Sequence, residues 1–156
     1  YATGRLPILN DIGYAVRETI SGKVADAVRS GRATEKVAAD IRKLAGTSDY
    51  RALTIARTEI NSAYNNGNYE SLNAMGDEYR PVEKVWSAAL DNDTRPTHLG
   101  MNGRLIAWND RFQFPNGSLA HPHDQSGPME EWINCRCALL ELYPGMRRPD
   151  GTRVPG

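Results

Sequence analysis

The sequence predicts an α+β fold in which N-terminal helices precede a small, mainly antiparallel sheet with hairpins and long loops. Three observations predict it. Apolar residues recur at helical spacing up to about residue 74. Beyond about residue 80 the apolar stretches become short, β-branched and aromatic, and are separated by turn dipeptides. Helices and strands are segregated rather than alternating, which disfavours a doubly wound parallel sheet.

The first helix is read in "DIGYAVRETISGKVADAVRSGRA", where Ile12, Val16, Ile20, Val24 and Ala27 form a stripe, Asp11 is placed to cap and Gly31 to stop. A second runs from Thr34, whose hydroxyl can cap, to Gly46, with Val37, Ile41 and Leu44 on one face. A third starts near Ser48 and carries Leu53, Ala56, Ile60 and Ala63 towards Ala74. Strand character follows in "PVEKVWSAAL", at residues 104–107, 111–114 and 137–142. Asn102-Gly103 is the dipeptide suited to a tight hairpin, while "FPNGS" and "HPHDQSGP" read as turns. In "DNDTRPTHLG", Asp93 or Thr94 is placed to cap a short helical turn with Pro96 in its first turn.

Composition limits the function classes. The chain has 156 residues, 40% hydrophobic and 24% charged, which suits an ordinary folded domain with a core. Nineteen basic residues balance nineteen acidic ones, so no global positive field marks a nucleic-acid binder and any DNA contact is local. No run approaches the roughly 20 apolar residues of a membrane span, and no secretion signal opens the chain. A start at Tyr1 and a Pro/Gly-rich end, "YPGMRRPDGTRVPG", read as an excised piece of a longer protein.

The two cysteines, Cys135 and Cys137, stand one residue apart in "WINCRC". In a strand their Cα atoms are roughly 6.5–7 Å apart on one face, so a disulfide between them requires a distorted backbone. The same face-sharing lets both thiols ligate zinc if the chain bends and further ligands approach, with His98 the leading histidine and Asp91 or Asp124 as a fourth ligand. The competing reading is two small apolar residues packed under a sheet. His121 and His123 in "HPHD" read first as parts of a turn. Asp91, Arg95 and His98 form a potential polar cluster in which Asp91 pairs with Arg95. Arg136 is expected to pair with Glu59 or Asp91. The amide-rich run at Asn61, Asn65, Asn66 and Asn68 suggests side-chain hydrogen bonding to neighbours.

Taken in order, "IARTE", Trp86, the D-x-x-T-R-x-x-H run Asp91 to His98 with Gly103 behind it, Pro122 and Asp124, and finally "INCRC" resemble the phage Mu F-like minor head proteins, the head morphogenesis family. The resemblance runs from about residue 55 to 142. Asp93 departs from it, standing where members usually carry a basic residue, and His121 and His123 fall where histidine is not asked for. Carried onto this chain, the resemblance gives a structural polar set of Arg57, Glu59, Asp91, Arg95, Asn134 and Arg136. It implies a minor head protein without catalytic residues, located in the virion head interior and, during assembly, in host cytoplasm. Such a protein acts in procapsid assembly and DNA packaging or delivery near the portal. The implied partners are portal, scaffold or major capsid protein and, locally, phage DNA, with no membrane and no small-molecule substrate. In that reading residues 1–46 are a docking arm, 47–143 the family core and 144–156 a flexible tail, and structural zinc on His98, Cys135 and Cys137 is the one cofactor considered. The rival reading is a metal-dependent, nuclease-like hydrolase, or a toxin-type domain carried in the head, with a metal-activated water or a cysteine nucleophile.

Overall fold

The structure, a computed structural model, describes residues 9–156. It divides into two compact units, one reaching to Tyr64 and the other Asn65–Gly156. The expected docking arm therefore ends before the first unit does, and its residues 1–8 lie outside the described part.

The first unit is helical. Helices α1 (Tyr14–Ser30) and α2 (Thr34–Ala45) are followed by the first two-thirds of α3 (Asp49–Asn73). Ile20, Val24 and Ala27 of α1, Val37, Ala38 and Ile41 of α2 and Ala52, Ile55 and Ala56 of α3 bury their apolar stripes together with Leu9. Gly31 and Gly46 end α1 and α2 as the sequence indicates. The capping expectations change: Asp11 does not cap α1, which starts after Gly13, and instead pairs with Arg51 at 2.5 Å. Thr34 is the first residue of α2 and makes no cap hydrogen bond. At α3 the cap is Ser48, whose hydroxyl accepts from the Arg51 amide at 3.2 Å.

The second unit holds two antiparallel sheets. In the larger, β1 (Glu83–Ser87) is central, flanked by β2 (Leu105–Ala107) and β5 (Ala138–Leu142). Its register pairs Val85 with Leu105 on one side and Leu140 on the other. The smaller sheet is the hairpin of β3 (Phe112–Phe114) and β4 (Gly117–Leu119), closed by Pro115 and Asn116. "FPNGS" is thus a hairpin with a second strand, not a turn alone, because Leu119 alternates inward and is fully buried.

Asn102-Gly103 also differs from expectation, since it links helix α4 (Pro96–Met101) to β2 rather than joining two strands. The Arg104 amide donates to the Met101 carbonyl at 2.8 Å, with Asn102 at φ −56°, ψ 126° and Gly103 at φ 77°. This is a type II turn, which needs a left-handed residue only at its third position, where Gly103 stands. Asn102 is fixed by its side-chain oxygen, which accepts from the Ala88 amide at 3.0 Å.

The aromatic core gathers on Trp86, whose ring meets Phe112 and Phe114 edge-on at 5.2 Å each and His98 at 5.4 Å. Residues 144–156 are not a free tail. Val154 is buried with Val85 and Leu142, and Arg148 forms a bidentate pair with Glu83 at 2.7 and 2.8 Å. Leu105 packs against the same cluster, so an apolar residue nine positions beyond Gly145 is drawn back onto the strand face at Val85. Among the described residues no helix is long and apolar enough to cross a membrane.

A candidate metal centre of histidine and paired cysteines

The cysteine pair sits between the short helix α5 (Met129–Trp132) and β5. Asn134, at φ 55°, turns the chain, and just beyond it the Cys137 amide donates to the Cys135 sulfur at 3.3 Å. Asn65 holds the stretch from the side: its amide nitrogen donates to the Cys137 carbonyl at 3.4 Å and its oxygen accepts from the Leu139 amide at 3.3 Å. An asparagine that looked out of place in a helix interior thus supplies the polar partner that two buried backbone groups need. Asn68 bonds Glu141 further along the same strand.

Helix α4 delivers His98 to the same point. Pro96 opens it, but its start is Arg95 and no side chain caps it, so Asp93 and Thr94 do not have the expected role. Nδ1 of His98 lies 3.3 Å from Sγ of Cys137 and 3.6 Å from Sγ of Cys135. Nε2 faces the carboxylate of Glu131 at 3.0 Å, and Thr97 donates to the same oxygen at 3.1 Å. His98 and Cys135 are 2% exposed, Cys137 3% and Glu131 5%. Among the described residues His98, Cys135 and Cys137 form a group able to hold a metal ion. Both sulfurs are free of disulfide.

Within this cluster the two thiols are electrostatically unequal. The Cys135 thiol, then His98 and Trp86, hold the Cys137 thiol well below its ordinary value against the opposing effect of burial. Cys135 moves the other way, raised first by its hydrogen bond to Cys137 and then by burial.

The structure brings together all three residues expected as metal ligands, but separates them from the carboxylates expected beside them. Asp91 pairs with Arg136, not Arg95, and this pairing is the main cause of its lowered carboxyl pKa. Arg95 donates instead to the Ile133 carbonyl. Asp124 is enclosed by the amides of Ala120 and Ser126, the Ser126 hydroxyl and Arg111. Burial pushes its carboxyl up, and the hydrogen bonds from Ala120 and Ser126, with the nearby His121, outweigh it, leaving a net lowering. Neither aspartate is grouped with the three possible ligands among the described residues. Arg57 and Glu59 belong to the first unit, where Glu59 is buried. His121 is lowered by burial, stacks on Tyr69 at 4.4 Å and lies 2.8 Å from the Pro122 carbonyl. His123 is buried at φ 67°, its ring lowered to about 3 by burial.

Glu131 is the residue that sequence reasoning missed. It lies 33 positions from His98 as one of two adjacent glutamates, and no local spacing relates it to the histidine.

Fold and site together define a small α+β module whose second unit contains a buried histidine–thiol cluster. The chain belongs to the family described as Phage Mu protein F like protein, which matches residues 18–140. The match starts before the resemblance read from the motifs and takes in most of the N-terminal helices. The chain is similar to the minor head protein GP7 of Bacillus phage SPP1, with 27% identity over 90% of this chain and 43% of that protein. It is also similar to an NAD(+)–arginine ADP-ribosyltransferase, EFV, of Enterococcus faecalis, at 26% identity over 83% of this chain and 26% of that protein. An uncharacterized protein of Haemophilus influenzae is 26% identical over 89% of this chain and 28% of its own length. The chain thus spans less than half the length of each of these relatives. No solved structure matches it.

Proposed function

We propose that this chain is the head morphogenesis module of a tailed-phage or prophage minor head protein. In this role it enters the procapsid, docks on portal, scaffold or major capsid protein, and takes part in DNA packaging or delivery. The observation that carries the reading is the family match over residues 18–140 together with similarity to GP7 along 90% of the chain. The balance of nineteen basic and nineteen acidic residues supports protein partners over a DNA clamp. Residues 1–46 are the docking arm of this proposal, residues 47–143 its core, and Arg57, Glu59, Asp91, Arg95, Asn134 and Arg136 a structural rather than catalytic set. A zinc ion on His98, Cys135 and Cys137 is a structural cofactor in this reading.

The ADP-ribosyltransferase relative does not favour an enzyme here. A segment shared between a head protein and a transferase, and making up 26% of the latter, is better suited to a common carrier or assembly role than to the chemistry in one of the two names. The Cys137–His98–Glu131 arrangement has the order of a nucleophile, base and orienting carboxylate, but at 2–5% exposure it is sealed from a macromolecular substrate.

The test is incorporation. A tagged parent protein lacking residues 1–45 is expected to be absent from purified heads while the full-length protein is present at few copies. Normal incorporation of the truncated form overturns the docking assignment, and absence of the full-length protein from heads overturns the virion role.

A further inference from the structure

We infer that Cys135, Cys137 and Nδ1 of His98 bind one zinc ion whose fourth ligand is a water in the adjoining crevice, and that Glu131 fixes the histidine for this task. This rests on the reading of the cluster as a structural metal site and adds to it the identity of the bound ring nitrogen, the positioning carboxylate and the open coordination position.

The distances suit a tetrahedron. With zinc–nitrogen and zinc–sulfur bonds of about 2.05 and 2.3 Å and tetrahedral angles, nitrogen and sulfur ligands stand about 3.6 Å apart. The observed separations are 3.3 and 3.6 Å. A thiol-to-imidazole hydrogen bond also accounts for one such contact, but not for two: one ring nitrogen offers a single lone pair, and both sulfurs converge on it. A cation at the centre satisfies all three atoms.

Three further observations support this. The Cys137 amide donates to the Cys135 sulfur, a contact that stabilises the anionic sulfur a metal requires. Nε2 of His98 is opposite Glu131 at 3.0 Å, so the ring carries its proton there and turns the lone pair of Nδ1 towards the thiols. Glu131 is itself held by Thr97 on the histidine's own helix. Charge also balances: two thiolates neutralise a divalent cation, so the burial penalty of an unpaired anion is removed.

The fourth position follows from the space left. A crevice of about 10 Å³ adjoins the cluster, lined in part by Thr94, Arg95 and Asn134. That is about the room one water occupies. Asp91 and Asp124 are committed to Arg136 and to the Ala120–Ser126 loop, so neither carboxylate competes for it. The zinc then links α4 to the start of β5, two segments 37 residues apart at Cys135.

The test uses the full 156-residue chain purified without chelators, with zinc measured per chain and its coordination read by X-ray absorption. One zinc per chain is expected, with two sulfurs at about 2.3 Å and two light ligands at about 2.0–2.1 Å, only one of them an imidazole. Cys135→Ser is expected to abolish stoichiometric binding. Because that variant can also fail to fold, Glu131→Gln provides a milder arm: it keeps the size and one hydrogen bond and is expected to weaken zinc about 10- to 100-fold in a chelator competition while one-to-one binding persists. Absence of zinc, and of tetrahedral thiolate bands on adding cobalt to the reduced chain, overturns the metal site altogether. A bound metal with two imidazoles or more than two sulfurs overturns the water ligand alone, and unchanged affinity in Glu131→Gln overturns the role of Glu131 alone.

Discussion

Lys84 shows how one residue can run against its surroundings. It lies on the central strand β1 with no exposed surface, its ammonium 5.1, 5.5 and 5.8 Å from the ring centres of Tyr69, Trp108 and Phe112 and without a hydrogen-bond partner among the described residues. Burial, then the nearby Arg111, lower its pKa from 10.5 to about 8, while the ring faces attract the charge. Since the folded value is below the unfolded one, the unfolded chain holds more protons between pH 8 and 10.5, and stability rises with pH across that window. Lys84→Met is expected to remove this rise and to stabilise the protein by about 1–3 kcal/mol at pH 7, read by urea unfolding at pH 7 and 10. A less stable variant at pH 7 shows that ring attraction outweighs burial. None of this was legible in the sequence, where Lys84 stood in an alternating strand as an ordinary polar residue. His98, Cys135 and Cys137 were legible because thiols one residue apart need little context, whereas Glu131 acquires meaning only when α5 is laid against α4.

At the scale of elements, α5 depends on a close backbone approach. A β-carbon on Gly127 would stand 2.7 Å from the Ser118 carbonyl oxygen and 2.9 Å from Cγ of Leu119, so the chain entering Pro128 and α5 runs directly over β4. Gly127→Ala is expected to cost about 1–3 kcal/mol, measured by thermal unfolding, and to disturb the placement of Glu131. The pairing of Glu83 with Arg148 gives a second prediction. Its guanidinium is the first cause of the lowered Glu83 pKa, so the stabilisation is present above the ordinary carboxyl value of 4.5 and is lost as pH falls through the lower folded one. Arg148→Ala is expected to flatten the acid limb of stability against pH in that range. Helices α1, α2 and α3 could be read from periodicity, the turn of α4 from Pro96, and four strands from their short apolar, β-branched and aromatic runs, whereas the four-residue α5 is too short to show a period and was not read. The hairpin strand β4 and the returning C-terminal segment could not be read either, because "NGS" and "PGMRRPDG" carry turn chemistry whose apolar partners, Leu119 and Val154, are single residues with no period to reveal them.

For the molecule as a whole, the two units offer separate reporters. Trp86, Trp108 and Trp132 all lie in the second unit, whereas α1 and α2 lie in the first. If zinc staples the second unit, a chelator is expected to lower the melting temperature seen by tryptophan fluorescence more than that seen by helical circular dichroism. Coincident shifts in the two signals would show that the units melt as one. The seal over the sulfurs has a kinetic consequence as well. A bulky thiol reagent reaches the sulfurs of residues that are 2–3% exposed only when this part of the fold opens, so in metal-stripped protein the labelling rate measures opening rather than thiol reactivity. Raising the reagent concentration is expected to bring that rate to a plateau, and Arg136→Ala to raise the plateau. The paired cysteines then serve as a clock, counting how often this part of the fold breathes.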